Sequence, residues 1–484
     1  MAHRLAAANL RTALLSDARP SAQKSIQRWS LRSLANINID PSSGTSSQPP
    51  RSDVAQTLLQ DIILRLAGQH ARTVAMTAQT EAILGASDDG KKLASDTKVL
   101  EEDEAASGGT TSSSIRSKVI RAVNQPVKLP PKVQMEYEVQ SQLEKKNALK
   151  NLADLETLHT STYKLVHELL DNDATSLRRY TSADAALVAA TFESIRSRHA
   201  MSVELMADVV ISLRRARSLR AGIGLVAPAG QFCGIDLQLI DDFLRERLGV
   251  QLLCDHYVAL DKGKKNGGIA VGCSLGDVVE DAVTEARHVC DANLGIMPDV
   301  QVEYGFDDNV PIPKPLVGLV DSHTSVSGYE SIELTLIRPW LHHALVEILK
   351  NAMASSVQRA DDCGEHTSPP DVHVRLVDGS ESVSIFVMDQ GVGLAEDGMR
   401  RAFRFAESSS LKRWDRIEEQ TSYAMVRQPL GSLGVGLPLS RMMCQMFGGD
   451  VSISNREKGG RLDSGCSAVI ELLKDDQYLE RLHS

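Results

Sequence analysis

The hydrophobic rhythm of the chain changes about half-way along. From about 133 to 262 apolar residues recur at helical spacing. Leu152, Leu155, Leu158 and Leu165 mark one helix, Ile195, Met201, Leu205, Val209 and Leu213 a second, and Phe243, Leu244, Leu248 and Leu252 a third. Leu58, Ile62, Ile63 and Leu66 share the same period further upstream. Several long amphipathic helices in succession predict a four-helix bundle over 133–266. No internal repeat is visible.

Beyond about 267, short β-rich runs alternate with helices. Val372, Val374 and Leu376 alternate, Asp378-Gly379 turns the chain, and Val383, Ile385 and Val387 alternate again, which predicts a hairpin. A helix over 339–357 starts at Pro339 and carries a core stripe of Leu341, Leu345, Ile348, Leu349 and Ala352. A glycine-rich stretch at 431–438 precedes a helical run at 439–447, and Gly448-Gly449 leads into a strand pair at 450–454 and 467–473. These elements predict an α/β domain over 267–476, with a tail at 477–484.

Composition narrows the function. A chain of 484 residues is too long for one core and implies two domains plus extensions. The net charge of −10 argues against a general polyanion binder, and an aromatic content of 4% against a base-stacking platform, so no nucleic-acid partner is expected. No apolar run reaches the ~18 residues a membrane-spanning helix needs. The seven cysteines are scattered without a C-x-x-C pair, which disfavours a disulfide framework or structural zinc and fits a reducing compartment.

The first 38 residues hold Arg4, Arg11, Arg19, Lys24, Arg28 and Arg32 against one acid, Asp17. That is the composition of a mitochondrial transit peptide, although a basic tail has it too. Residues 39–132 read as a linker with one helical segment. Within it, 39–52 is rich in Ser and Pro, and 87–118 reads as a disordered acidic and Ser-rich insertion.

Four features of the second domain carry candidate chemistry. His343, Glu347 and Asn351 lie four apart, so they share one helix face. An imidazole, a carboxylate and an amide oxygen there can accept a proton and hold a hard cation, although a solvated face has the same spacing. Asp389-Gln390-Gly391-Val392-Gly393 follows a strand; the acid can accept from an exocyclic amine, or the segment can be an ordinary turn. The glycines at 431–436 precede a helix N-terminus, where free N–H groups and the dipole suit an anion. They form neither a Walker nor a Rossmann pattern. The fourth feature, the strand pair entered at Gly465-Cys466, is by itself only a hairpin.

In this order and spacing the four resemble the ATP-binding fold of gyrase, Hsp90, histidine kinases and MutL. The stretch between Gly393 and Gly431, with Ser408, Ser409 and Ser410, then suits a mobile lid. LVEILKNAMASSV and LGVGLPLSRMMCQMFGGDVSI resemble the mitochondrial pyruvate and branched-chain 2-oxo acid dehydrogenase kinases. So do RHAMSVELMADVV at 198–210, the segment 241–260 and the helix 274–295, and the resemblance covers roughly 130–475. It implies an α+β chain, a four-helix bundle followed by an α/β-sandwich ATP-binding domain of the histidine-kinase-like type. It also implies a serine kinase of the mitochondrial matrix that phosphorylates and inactivates the E1α subunit of a 2-oxo acid dehydrogenase. Docking on lipoyl domains of the E2 core and a homodimer are implied as well.

By motif, Glu347 is the implied general base, assisted by His343. Asn351 binds Mg²⁺, and Asp389 reads the adenine amino group. Gly434, Val435, Gly436 and Leu437 surround the phosphates of ATP. Lys350, Gly391, Gly393, Leu433 and Cys466 complete the implied nucleotide pocket. His199 matches a family histidine for which structural and allosteric roles stand equal. The chain departs from the family at Ala354, Val392, Ser432, Cys466 and the Ala406-Glu407 pair. Those departures keep open a second expectation, a catalytically weak ATP/ADP-sensing protein on the dehydrogenase complex. A histidine kinase or a chaperone-like ATPase is a third, weakened by the absence of a phospho-acceptor histidine box and by a helical domain that matches neither.

Overall fold

The computed structural model describes residues 28–37, 51–85, 131–173, 182–222, 234–305, 332–363, 368–407, 433–456 and 465–481. Residues 1–27 of the expected leader, the insertion at 87–118, residues 408–430 of the expected lid, Gly431 and Ser432 lie outside them. The described residues fall into two compact units. One takes its residues from within 67–164 and 199–244, the other from within 23–66, 165–198 and 245–484.

The N-terminal region is helical, as the apolar spacing predicts. After the short α1 (Leu31–Ala35) come α2 (Arg51–Gly85), α3 (Pro131–Asp173), α4 (Ser182–Arg198), α5 (Ser202–Gly222) and α6 (Leu237–Asp261). The register of α3 differs from the leucine stripe. Its buried positions include Ala148, Leu152, Leu155, His159 and Thr162, whereas Leu158 is half-buried. Steps of three residues fall short of a full turn, so Leu158 has rotated by about 120° from Leu152.

The single helix expected through Ile195 and Leu213 is two. His199 ends the first, and the Ser202 hydroxyl donates to the His199 carbonyl at 2.7 Å, closing a turn that leaves Met201 60% exposed. In the first unit, His159 stacks on His199 with ring centroids 5.7 Å apart and meets His70 and Phe243 edge-on.

The second unit contains the sheet. Strands β2 (Val300–Gly305), β4 (Val372–Asp378), β5 (Ser382–Met388), β6 (Asp450–Asn455) and β7 (Cys466–Leu473) run in the order β2-β4-β5-β7-β6. Among the described strands only the β2–β4 pair is parallel; the expected hairpin pairs Val374 with Val387 and Leu376 with Ile385. A separate ribbon joins β1 (Ala270–Ser274) to β3 (Glu333–Leu336). Three helices, α7 (Leu275–Leu294), α8 (Arg338–Cys363) and α10 (Gly436–Gln445), share one apolar core with the sheet; the short α9 (Glu396–Arg401) follows β5. Alternate residues such as Val374, Leu376, Ile385, Val387 and Ile470 fill that core because side chains alternate faces along a strand. Ser274 caps α7 by accepting from the Asp277 N–H, and Gly295, at φ 71°, ends it.

Residues within the expected leader and the expected tail are packed. Residues 28–37, expected within the leader, are folded into this unit: Leu34 is fully buried, and Ser30 bridges Leu479. The expected leader over 1–38 therefore overlaps the folded residues 28–37. Residues 477–481 of the expected tail are folded too, with the Glu480 side chain buried and paired with Arg65. Apolar and ion-pair contacts across more than 400 residues of sequence leave no local signature.

Candidate active site

Helix α8 carries most of the site. Its apolar stripe, Leu341, Leu345, Ile348, Leu349 and Ala352, is buried against the sheet and α7. That orientation turns His343, Glu347 and Asn351 onto a shared flank, with Asn351 exposed and Glu347 part-buried. Lys350 is buried and forms an ion pair with Glu347 one turn away. Burial pushes the His343 imidazole below its ordinary value. Lys350 adds to that, and Glu347 opposes it. His343 Nε2 has no hydrogen-bond partner among the described residues. A neutral imidazole beside a carboxylate is a competent proton acceptor.

Ser355 continues the same face one turn beyond Asn351 and ties α8 to the end of β5. Its hydroxyl accepts the Val392 N–H at 3.2 Å, and Gly391 lies so close that a Cβ there would overlap the serine. Asp389 is 4% exposed, and its Oδ1 accepts from the N–H groups of Gly391 (2.8 Å) and Cys466 (3.2 Å). Burial raises the Asp389 carboxyl above the usual range, and those two N–H groups, Ser355 and Arg456 oppose it. Gly465 has a positive φ of 127°, and a Cβ there would run into the Asp389 carbonyl, so both the backbone and the space require glycine.

Asn455 is a positioning residue the sequence did not flag. It accepts the Leu394 N–H at 2.9 Å and donates to the Leu394 carbonyl at 2.6 Å, pinning the segment after Gly393 as a paired strand would. Arg359 and Arg456 clamp the residues before Gly391 by donating to the carbonyls of Gln390 and Asp389. Ser355 had a signal, its four-residue spacing from Asn351; Asn455 had none, because its role depends on β6 lying beside the loop.

The glycine turn comes to the other end of this face. Gly436, the first residue of α10, packs directly on the Glu347 carboxylate. The Val435 side chain makes no cap hydrogen bond, and that is the arrangement an anion would complete. Gly434, at φ 76°, sits on the Glu407 backbone, where a Cβ would come within 2.6 Å; its carbonyl accepts the Ala406 N–H at 3.0 Å. Leu433 and Leu437 are half-buried beside it. Arg441 of α10 pairs with Asp450 at 2.8 Å and lies over the Phe403 ring at 4.7 Å.

The residues read from sequence thus form two joined groups. Glu347, Lys350 and Gly436 meet at one, Asp389, Gly391 and Cys466 at the other, and α8 links them through Asn351 and Ser355. Among the described residues no cluster of three or more His, Cys, Asp or Glu side chains has the arrangement of a protein-built metal site. A cation that keeps most of its water and binds one amide oxygen fits Asn351.

Residues 337–475 match the family model of histidine kinase-, DNA gyrase B- and HSP90-like ATPases. Over 275 residues the chain is 25% identical to the mitochondrial pyruvate dehydrogenase (acetyl-transferring) kinase of Ascaris suum, covering 55% of this chain and 59% of the relative. It is 27% identical over 228 residues to isozyme 1 of that kinase from Mus musculus (46% of each chain), and 28% over 229 residues to the Arabidopsis thaliana kinase (46% and 55%). The matched stretch spans about half the length of these relatives. Residues 337–475 are therefore a histidine kinase-, DNA gyrase B- and HSP90-like ATPase domain, in a chain related to the mitochondrial pyruvate dehydrogenase kinases.

Proposed function

We propose that this chain is a protein serine kinase of the mitochondrial matrix that uses Mg·ATP to phosphorylate the E1α subunit of a 2-oxo acid dehydrogenase complex. The observation that carries the reading is the contact of Gly436 with Glu347. It sets the turn suited to phosphates directly against the candidate base.

In this reading Asp389 accepts from the adenine amine, and the uncapped N-terminus of α10 receives phosphate oxygens. Asn351 would hold Mg²⁺, which neutralises phosphate charge when bound. Glu347 takes the proton of the substrate serine, with His343 beside it. Phosphoryl transfer needs chiefly positioning and charge neutralisation, and these groups supply both. The helical region would dock on lipoyl domains of the E2 core, and two copies would form a dimer, as the family resemblance implies.

A second reading is a catalytically weak nucleotide sensor on the same complex. It is favoured by Lys350, whose ammonium already occupies the Glu347 carboxylate a serine hydroxyl would approach.

Incubation with labelled ATP and purified pyruvate or branched-chain dehydrogenase complexes separates the two. Label on an E1α serine that disappears in Glu347→Gln and Asn351→Ala supports the kinase, and the labelled complex names the substrate. ATP binding with no label on either E1α would overturn it in favour of the sensor.

A further inference from the structure

Helix α10 meets the Glu347 carboxylate at its N-terminal end, through Gly436. Its C-terminal end is held by residues 477–481. The Met446 carbonyl, the cap of α10, accepts the Arg481 N–H at 2.8 Å. Carbonyls at a helix end lack intrahelical donors, so this bond fills a vacancy that the helix creates. Two residues on, Gly448 makes room for Tyr478 and Leu473, which leave no space for a Cβ. Gln445 accepts from Arg245 at 2.8 Å and donates to Asp450 at 2.9 Å.

Residues 477–481 are themselves clamped. Glu480 is 1% exposed, and both its oxygens accept from the fully buried Arg65 guanidinium. Arg65 also donates to Asp61 at 3.0 Å. The Trp29 backbone N–H donates to Glu480 Oε1 at 3.2 Å, and its indole N–H to Asp61 at 3.1 Å. The Glu480 N–H returns a bond to the Trp29 carbonyl at 2.7 Å, and Arg28 donates to the Glu480 carbonyl at 2.8 Å. An ion pair buried to this depth tolerates little displacement, because a shifted partner leaves an uncompensated charge.

The geometry points to a positioning role for this clamp: Arg65 and Glu480 fix residues 477–481, whose Arg481 N–H anchors the far end of the phosphate-facing helix and sets the placement of its N-terminus. The inference rests on the nucleotide reading of the site proposed above. At ten residues α10 is about 15 Å long, and a helix of that length transmits a tilt at one end to the other. Neither Arg65 nor Glu480 is placed to touch nucleotide, so both act through the helix.

The test uses the full chain and two variants. Arg481→Pro removes the N–H to Met446 and leaves Glu480 in place. Glu480→Gln keeps the shape and removes the charge, and it serves if the proline variant does not fold. Binding of ATP and of adenosine is measured by calorimetry for each, beside a thermal melt. A positioning role for the phosphate end predicts ATP affinity lowered by about tenfold, the effect of one ordinary lost contact, with adenosine affinity unchanged. Faster amide exchange at 439–446 should accompany it. Equal losses for ATP and adenosine, or unchanged ATP affinity in the folded variants, would overturn the positioning role and leave the nucleotide site standing. If the unmodified chain binds neither ligand, the nucleotide reading fails and the inference falls with it.

Discussion

Gly436 rests its backbone on the Glu347 carboxylate, and no side chain fits between them. Gly436→Ala should therefore push the carboxylate and the start of α10 apart. We expect ATP affinity to fall by about 1.4 kcal/mol or more, tenfold in dissociation constant, with the melting temperature little changed. Titration with a fluorescent ATP analogue measures this. Wild-type affinity in the variant would show that the turn is not part of the nucleotide site.

Asp389 has separable duties. Asp389→Ala leaves the N–H groups of Gly391 and Cys466 without their acceptor, a cost of about 1–3 kcal/mol for each buried donor. Asp389→Asn keeps an oxygen for them. It should retain stability in urea melts while losing the preference for ATP over GTP. An asparagine variant that still discriminates would remove Asp389 from base recognition.

Asn455→Ala removes both bonds to Leu394 and frees the segment after Gly393. The site is exposed, so the stability loss should stay near about 1 kcal/mol. Adenosine affinity should fall in step with ATP affinity, because the loosened segment lies beside Asp389 and not beside α10. A selective loss of ATP affinity would contradict this placement.

Acid should destabilise the protein through its buried histidines. Burial holds His256 down at about 4; its Nδ1 accepts the Gly268 N–H, a bond that a proton would break. Burial, then His199 and His70, hold His159 well below its ordinary value. In the unfolded chain both titrate near 6.5, so below that pH the unfolded state binds more protons and stability falls as pH drops. Urea midpoints should be level above about pH 7 and decline below about 6.5, with a slope of up to about 1.4 kcal/mol per pH unit for each histidine. A flat profile down to pH 5 would show that these imidazoles are not buried neutral.

Gly249 occupies the space against which the Arg65 guanidinium packs. Gly249→Ala should displace a buried, paired cation and destabilise by about 1–3 kcal/mol, measured by urea denaturation. An unaltered midpoint would mean that Arg65 can relocate without losing Glu480.

Local information settles what local physics controls. The alternation at 372–376 and 383–387 is enough to specify the β4–β5 hairpin, since side chains alternate faces whatever the strand packs against. The four-residue spacing of His343, Glu347 and Asn351 is enough to place them on one flank of α8, because an α-helix has 3.6 residues per turn. The order of the motifs is enough to predict a histidine-kinase-like ATP-binding fold in the second half of the chain, and the family match over 337–475 falls within that half.

Only the tertiary structure decides what those flanks meet. That Gly436 touches Glu347, that Asn455 pins Leu394, and that Glu480 closes on Arg65 depend on contacts between distant segments, which spacing along one element does not encode. The same limit explains the folded ends. Residues 28–37 have the basic composition of a leader and 477–481 that of a tail, yet Trp29, Leu34 and Glu480 are buried together in one unit. Composition reports how a segment meets water when alone; burial depends on the partners that the rest of the chain supplies.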